Sequence, residues 1–227
     1  MDVVALSCGT ASQHGPWAAL TLRDFMPVHE VPATPDRAAV DPVLRELGGR
    51  RLVVVGTDAD LAAVVLRLLR TERLAEVVVG YLPTDRSSEV AGLWSLPAEP
   101  GEAVAVALAG EPDQVPLIRD DTGGVLVGLG VLSPIRGVAY CDDERVLRGQ
   151  ASRLEVTPDP ERGAGLVVRV VHRWLLGKRV STTTGRAVQI GCVPARVVKD
   201  GVSHPRLMDK WTWYRHTEDL RLARGAG

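Results

Sequence analysis

Leu52-Val53-Val54-Val55-Gly56-Thr57-Asp58-Ala59-Asp60-Leu61 is the stretch that decides the fold of this chain. The apolar run before Gly56 does not alternate with polar residues, which is typical of a parallel strand buried on both faces. After the turn, apolar residues from Leu61 to Leu69 recur at the spacing of one helix face, with Thr57 or Asp58 as the N-cap. Amides at such a turn point outward and the helix dipole favours negative charge, so the stretch predicts an anion-binding turn.

The residues upstream of this turn predict two more strands and a helix. Val3–Ser7 is a short apolar run that predicts a buried strand, and Pro27–Val31 is predicted as a second strand. Asp36–Leu47 has helical apolar spacing and is followed by Gly48, a residue that often ends helices. Pro42 is expected within the first turn of this helix, where its missing N–H is best tolerated.

Downstream, the same alternation of strands and helices continues. Val77–Val79 predicts a strand, and Ser87 or Ser88 is expected to cap a short helix that reaches Leu93. Gly101–Ala109 is predicted to be helical. The β-α-β order predicts an α/β lobe over residues 1–114, built on a parallel sheet covered by helices.

From about Val115 the pattern changes to short apolar runs separated by turn residues, which predicts a mostly antiparallel β lobe over residues 115–227. A cleft between two such lobes is a common place for a ligand. The predicted strands are Val125–Leu132, Leu154–Val156, Leu166–Leu176, Val188–Val198 and Trp211–Tyr214.

The turn at Gly56 resembles the Gly-Gly-Asp-Gly-Thr-Leu signature shared by diacylglycerol kinases, sphingosine kinases and NAD kinases. Gly56 matches the first glycine and Asp58 the aspartate, whereas Thr57 and Ala59 replace the other glycines and Asp60 replaces the threonine. If those glycine positions require positive φ, Thr57 and Ala59 are expected to be strained by about 1–3 kcal/mol each.

Other segments extend the resemblance to the diacylglycerol kinase family over roughly residues 1–215. Pro83–Glu89 resembles a Pro-Leu-Gly-Thr-Gly-Asn-Asp segment, and Ser7–Ser12 resembles a first-strand loop. Asp200-Gly201 resembles the start of an Asp-Gly-Glu segment, in which Val202 replaces the glutamate. By resemblance, the nucleotide-binding residues are Ser7, Gly9, Thr34, Gly56, Thr57, Asp58, Ala59, Asp60, Thr84, Ser87, Ser88 and Glu89.

The resemblance implies ATP and Mg²⁺ as cofactors and Asp58 and Asp200 as catalytic acids. The lost glycines and the carboxylate of Asp60, which is expected to face a phosphate, imply weakened ATP binding. The expected function is a catalytically impaired protein that binds a nucleotide or lipid in a regulatory role. The alternative is an active lipid kinase that phosphorylates a diacylglycerol-type hydroxyl, and an NAD kinase is a third possibility.

The same residues also have purely structural explanations. Asp58 is a potential helix N-cap, and Asp60 and Glu89 in first turns complement helix dipoles. Ser87 and Ser88 are helix-capping types, and Asp-Gly at Asp200 is a type I′ hairpin sequence. The sequence alone leaves both explanations open.

Charge is unevenly distributed along the chain. Residues 1–150 carry 13 basic and 21 acidic side chains, a net charge of −8, whereas residues 151–227 carry 14 basic and 7 acidic ones, a net charge of +7. The basic part is expected either to meet the acidic part or to contact a membrane peripherally. No motif predicts nucleic-acid binding.

The three cysteines are widely spaced, and the sequence shows neither a signal peptide nor an apolar run long enough to span a bilayer. These features predict a cytoplasmic protein with free thiols. A homodimer is expected by resemblance only. The histidines show no metal-ligand spacing, and Asp142-Asp143-Glu144 is either a solvated turn or a cation site. Trp211 and Trp213 share one face of a strand and are expected in the core, or as a lipid-touching patch.

Overall fold

The computed structural model of the protein describes residues 3–11, 26–161, 163–175 and 177–225. It divides into two units, one made of residues up to Val115 together with Glu218 onward, and the other of Pro116–Thr217. The first boundary differs by one residue from the expected one, but residues after Glu218 lie in the first unit rather than in the β lobe.

The first unit is an α/β unit with a largely parallel sheet, as predicted. The strands β2, β1, β3 and β4 are neighbours in that order and pair in parallel. The elements up to the unit boundary are β1 (Val3–Cys8), β2 (Val28–Val31), α1 (Arg37–Leu47), β3 (Arg51–Gly56), α2 (Asp58–Arg70), β4 (Val79–Pro83), α3 (Glu89–Leu93), α4 (Pro100–Ala109) and β5 (Glu111–Val115).

The apolar run of β3 lies at the centre of this sheet, where Leu52–Val55 are fully buried. The face of α2 formed by Leu61, Val64 and Leu68 is also fully buried. Each such side chain contributes about 1.5–3 kcal/mol when taken out of water. The non-alternating strand and the helix-spaced row therefore fix the connection from β3 to α2, and with it the turn at Gly56.

Helix α1 begins after Asp36, whose side chain accepts a hydrogen bond from the Ala39 amide at 3.1 Å, and it ends at Gly48 with φ of 58°. Pro42 lies beyond the first turn of α1, so the expectation for it was wrong. Burial of Val40, Val43, Leu44 and Leu47 against the unit offsets the hydrogen bond that Pro42 lacks. Among the described residues, no helix is long and apolar enough to cross a membrane.

Strand β4 lies two to four residues later than predicted, at Val79–Pro83 instead of Val77–Val79. Gly80 weakened the prediction of this strand, because glycine is a poor strand former. The structure explains this glycine, since a Cβ there would lie 3.0 Å from the Cα of Ala107 in α4. Close packing of α4 on the sheet therefore requires the residue that weakened the prediction.

The second unit is built almost wholly of antiparallel strands, as predicted. One path of neighbouring strands runs β13-β12-β11-β8-β14-β16-β6-β7, with β9, β10 and β15 attached through β14. Its strands are β6 (Ile118–Asp120), β7 (Val125–Leu126), β8 (Gly130–Ser133), β9 (Ile135–Cys141), β10 (Glu144–Ala151), β11 (Arg153–Pro158), β12 (Leu166–Trp174), β13 (Gly177–Gly185), β14 (Ala187–Lys199), β15 (Val202–Ser203) and β16 (Met208–Arg215).

Trp211 and Trp213 form the centre of this unit's core, and both side chains are fully buried. Their rings meet edge to face with centroids 5.8 Å apart. The expectation that they belong to the core is therefore confirmed, and the alternative of a lipid-touching patch at these two residues is not. The predicted strand Val125–Leu132 is split into β7 and β8 by a bend at residues 127 and 128.

A last strand, β17 (Leu220–Arg224), returns to the sheet of the first unit. It pairs in parallel with β4 through Leu222 and Val79, and antiparallel with β5 over its whole length. This strand was not predictable from the sequence, since its alternation of leucine and arginine is short and lies far from its partner strands in the chain. The six-stranded sheet is thus completed by residues that follow the second unit.

Candidate functional site

The turn between β3 and α2 is closed by a reciprocal capping box. Thr57 is the N-cap, and its hydroxyl accepts a hydrogen bond from the Asp60 amide at 3.3 Å. In return, Oδ2 of Asp60 accepts hydrogen bonds from the Thr57 amide at 2.7 Å and from the Thr57 hydroxyl at 2.8 Å. The two candidates for the N-cap are thereby resolved in favour of Thr57.

The second carboxylate oxygen of Asp60 ties the turn to another loop. Its Oδ1 accepts a hydrogen bond of 2.6 Å from the amide of Thr34, a residue in the loop after β2 with φ of 45°. Asp60 is 4% exposed, so both of its oxygens are satisfied by protein donors rather than by solvent. The carboxylate is an internal anion, bound by two loop amides and a hydroxyl.

Gly56 makes room for this carboxylate. A Cβ at Gly56 would lie 2.7 Å from Oδ2 and 2.8 Å from Cβ of Asp60, which is closer than side-chain carbons approach other atoms. Burial, and then the charge of Asp60, raises the pKa of the Cys8 thiol to about 12. The Asp60 carboxylate therefore lies directly against Gly56, the last residue of β3.

Thr57 and Ala59, which replace glycines of the resembled signature, are not strained. Thr57 has φ of −83°, and Ala59 lies inside helix α2. Neither is among the non-glycine residues with positive φ in the described part of the chain. The expected strain was therefore wrong, because this turn has an ordinary N-capped geometry.

Asp58, at the first position of α2, binds the neighbouring short helix α3. Its Oδ1 accepts hydrogen bonds from the Tyr81 hydroxyl at 2.8 Å and the Ser88 hydroxyl at 2.5 Å. Its Oδ2 accepts from the amides of Glu89 at 2.8 Å and Val90 at 3.3 Å. Asp58 thus satisfies the free amides at the start of α3 and joins β4, α2 and α3.

Tyr81 is fixed as a hydrogen-bond donor in this cluster. Burial raises the pKa of Tyr81 far above its ordinary value, and the charge of Asp58 and their hydrogen bond add to the effect. Ser88 is the N-cap of α3, as the sequence indicated, and its hydroxyl also accepts the Ala91 amide at 3.0 Å. The hydroxyls around Asp58 therefore serve the fold of α3.

The structure places several other candidate residues around the same sheet edge. The Thr84 amide donates to the Gly56 carbonyl at 2.9 Å, and the Ser87 amide donates to Asp85 Oδ1 at 2.8 Å. Gly9 has φ of 60° and its amide donates to the Val31 carbonyl at 2.8 Å. These residues form turns after β1 and β4.

Ser7 lies on the other side of the sheet from Asp60. It pairs in register with Val55, whereas Gly56, beside Asp60, is the next residue along β3 and faces the opposite side. The Ser7 hydroxyl is buried and has no hydrogen-bond partner in the described structure. The structure therefore does not bring Ser7 into the group formed by Thr34, Thr57 and Asp60.

Asp200 lies in the second unit, in the two-residue turn between β14 and β15. Asp200 and Gly201 have φ of 47° and 85°, the positive values that a type I′ hairpin turn requires. The Asp200 carboxylate is buried and accepts hydrogen bonds from the amides of Gly128 at 2.8 Å and Val127 at 3.2 Å. Asp200 therefore fastens the loop that separates β7 from β8.

An ion pair that the sequence did not predict lies beside this turn, between the partly buried Lys199 and the buried Asp120. Asp120 Oδ1 also accepts hydrogen bonds from the Thr122 amide, the Thr122 hydroxyl and the Gly124 amide. Burial alone would raise the pKa of Asp120, but the hydrogen bonds from Lys199 and Thr122 hold it below its ordinary value. The Lys199 ammonium also lies 5.6 Å from the centre of the Trp211 ring. From the sequence, residues Asp121–Gly124 were predicted to form a turn, but no ion pair was predicted next to it.

The acidic cluster at Asp142–Glu144 is a hairpin turn between β9 and β10. The Asp142 carboxylate accepts hydrogen bonds from the amides of Arg186 and Ala187, at 3.0 and 2.9 Å. Within residues that the structure describes, no group of three or more His, Cys, Asp or Glu side chains is placed to hold a metal ion.

The turn at Gly56 does not fit a nucleotide phosphate as it stands. The Thr57 and Thr34 amides donate to Asp60, and the carboxylate carries the same sign of charge as a phosphate. Asp58, the acid that would support Mg²⁺, already accepts hydrogen bonds from four groups of β4 and α3. Binding ATP and Mg²⁺ here would require these carboxylates to leave their partners.

No protein-family model matches the sequence, and no curated protein matches it significantly. Solved structures do match. A proposed diacylglycerol kinase from Bacillus anthracis str. Sterne is 12% identical with a TM-score of 0.69, covering 99% of this chain and 97% of that one. An NAD kinase from Archaeoglobus fulgidus in complex with ATP is 14% identical with a TM-score of 0.60, covering 98% and 94%. The chain therefore has the fold that these diacylglycerol kinase-like and NAD kinase structures share.

Proposed function

We propose that this protein is a catalytically impaired relative of the diacylglycerol kinases, which binds a nucleotide or a lipid in a regulatory role. One observation carries the proposal: the Asp60 carboxylate accepts the hydrogen bonds of the Thr57 and Thr34 amides. The kinase-like fold supports descent from an enzyme, and the self-bound carboxylate supports the loss of its phosphate site.

A kinase site must meet the requirements of phosphoryl transfer. Catalysis depends on holding the nucleotide phosphates and their metal ion in place and on neutralising their charge. A helix N-terminus favours a nearby anion, and at the start of α2 the Asp60 carboxylate already accepts the amide of the N-cap residue Thr57. Hydrogen bonds to a charged group contribute about 1.5–3 kcal/mol each, so displacing Asp60 would weaken ATP binding strongly.

The other two acidic residues support the same conclusion. Asp58 would have to release the amides of Glu89 and Val90 to reach a metal ion, and these first amides of α3 would lose their acceptor. Asp200 is engaged by the amides of Val127 and Gly128. Val202, where the resembled segment has a glutamate, supplies no carboxylate.

Restoring the resembled signature tests this proposal. The triple variant Thr57→Gly, Ala59→Gly, Asp60→Thr removes the internal anion and gives the turn its glycines. By calorimetry with and without Mg²⁺, we expect little or no ATP binding by the unaltered protein and measurable, Mg²⁺-dependent binding by the triple variant. Glu102→Gln, which removes one exposed carboxylate from α4, is the matched control and should behave like the unaltered protein.

The alternative function is an active, ATP- and Mg²⁺-dependent lipid kinase, which the fold match to a proposed diacylglycerol kinase favours. It would be established if the unaltered protein bound Mg²⁺-ATP and phosphorylated a diacylglycerol, with the activity lost in both Asp58→Ala and Asp200→Ala. That result would contradict the proposal of an impaired enzyme.

A further inference from the structure

The end of the hairpin formed by β12 and β13 carries exposed basic residues, among them Arg173 and Lys178. Its sequence is Arg173-Trp174-Leu175-Leu176-Gly177-Lys178-Arg179, and the Leu175 side chain is fully exposed. Arg173 lies directly opposite Lys178 in the register of the two strands. Like charges facing each other across strands destabilise a hairpin, so this pair has a cost that packing within the chain does not explain.

A hollow of about 520 Å³ lies beside this hairpin end, within the second unit. Arg136, His172 and Arg173 line it together with neutral polar side chains, and no acidic residue is among its described lining. Val193, on its rim, is 61% exposed. The hollow thus combines cationic groups with an exposed aliphatic side chain.

The cations here are not neutralised by the protein itself. In the described ranges of the chain, neither Arg136, Arg173 nor Lys178 forms an ion pair with a carboxylate. Other arginines do find such partners, as Arg153 does with Glu155. The group formed by Arg136, Arg173, Leu175, Lys178 and Val193, which we call the tip patch, therefore presents unpaired positive charge next to exposed apolar surface.

We propose that the tip patch binds an anionic phospholipid bilayer. Unpaired cations attract a negatively charged lipid surface, and a leucine that is wholly exposed in water gains by entering the acyl region. A nucleic acid would match the charge but offers no comparable apolar environment for Leu175 and Val193. Two cations of the patch, Arg173 and Lys178, belong to the basic C-terminal part of the sequence, and binding here does not depend on the state of the turn at Gly56.

Co-sedimentation with vesicles tests this. The unaltered protein should bind vesicles of phosphatidylcholine containing roughly 30% phosphatidylglycerol, but not pure phosphatidylcholine, and binding should fall when salt is raised from about 0.1 to about 0.5 M. Arg173→Gln with Lys178→Gln should weaken binding about 25- to 30-fold, at about fivefold per cation. Leu175→Ser should weaken it about tenfold.

The matched control is Arg45→Gln with Arg86→Gln, which removes two exposed positive charges from the first unit. It should bind as the unaltered protein does. Equal loss in the control, or equal binding to neutral and anionic vesicles, would overturn the proposal. So would tighter binding to a DNA duplex than to the vesicles, if the same Arg173 and Lys178 variant abolished it. Because these side chains are exposed, circular dichroism of the variants should be unchanged.

Discussion

At the scale of single residues, Gly56 and Asp60 share one small volume at the end of β3. The carboxylate can lie there only because the residue beneath it has no side chain. In the resembled signature the glycine leaves room for a phosphate, whereas here the same space holds the Asp60 carboxylate from the helix that follows. The position of the Asp60 carboxylate thus requires a glycine at position 56, and the carboxylate in turn explains why that residue is a glycine.

Gly56→Ala tests this dependence. With Asp60 present, we expect the free energy of unfolding in urea to fall by about 1–3 kcal/mol, since the new Cβ overlaps the carboxylate. In an Asp60→Ala background the same change should cost much less, and the two effects should not add. Equal costs in both backgrounds would mean that Asp60 does not occupy this space.

Asp120 makes stability depend on pH. Because its pKa is held below the ordinary value of 3.8, the stability it contributes is present above that pH and is lost as pH falls through the lower, folded-state pKa. Asp120→Asn should therefore be less stable than the unaltered protein at pH 7, with the difference shrinking below about pH 4. Urea unfolding of both proteins across this range measures it. A difference that stayed constant with pH would contradict the assignment.

At the scale of elements, the structure follows the sequence wherever one element buries a continuous or periodic apolar face. β1, β3, α1 and α2 were predicted for this reason, and each is buried as expected. β10 and β13 were missed because most of their side chains are exposed and charged or polar. Their pairing with neighbouring strands, rather than any apolar pattern, makes them strands.

β17 shows what a missed element contributes. Leu222 is fully buried between β4 and β5, so Leu222→Ala should lower the free energy of unfolding by about 2–5 kcal/mol. Leu175→Ala, at the exposed hairpin turn, removes the same atoms and should cost almost nothing. Urea unfolding of the two variants compares them directly, and similar costs would mean that β17 does not dock as described.

At the scale of the whole molecule, the order of an α/β unit before a β unit was predictable, and so was the position of the turn between β3 and α2. The hydrogen bonds of that turn were not predictable, because Asp60 accepts one from the amide of Thr34, which is 26 residues away in the sequence. Likewise, the pairing of Asp120 with Lys199 joins residues 79 positions apart. Composition and periodicity describe single elements, whereas these contacts arise only when distant loops meet.

The return of β17 has a consequence for how the protein is made. β4 is synthesised long before β17. The distance between them along the chain is large: Arg221 of β17 donates a hydrogen bond to the Ala75 carbonyl, 146 positions earlier in the sequence. Until that stretch emerges, β4 and β5 lack the strand that lies between them. The sheet of the first unit is therefore completed only after the whole second unit has been synthesised.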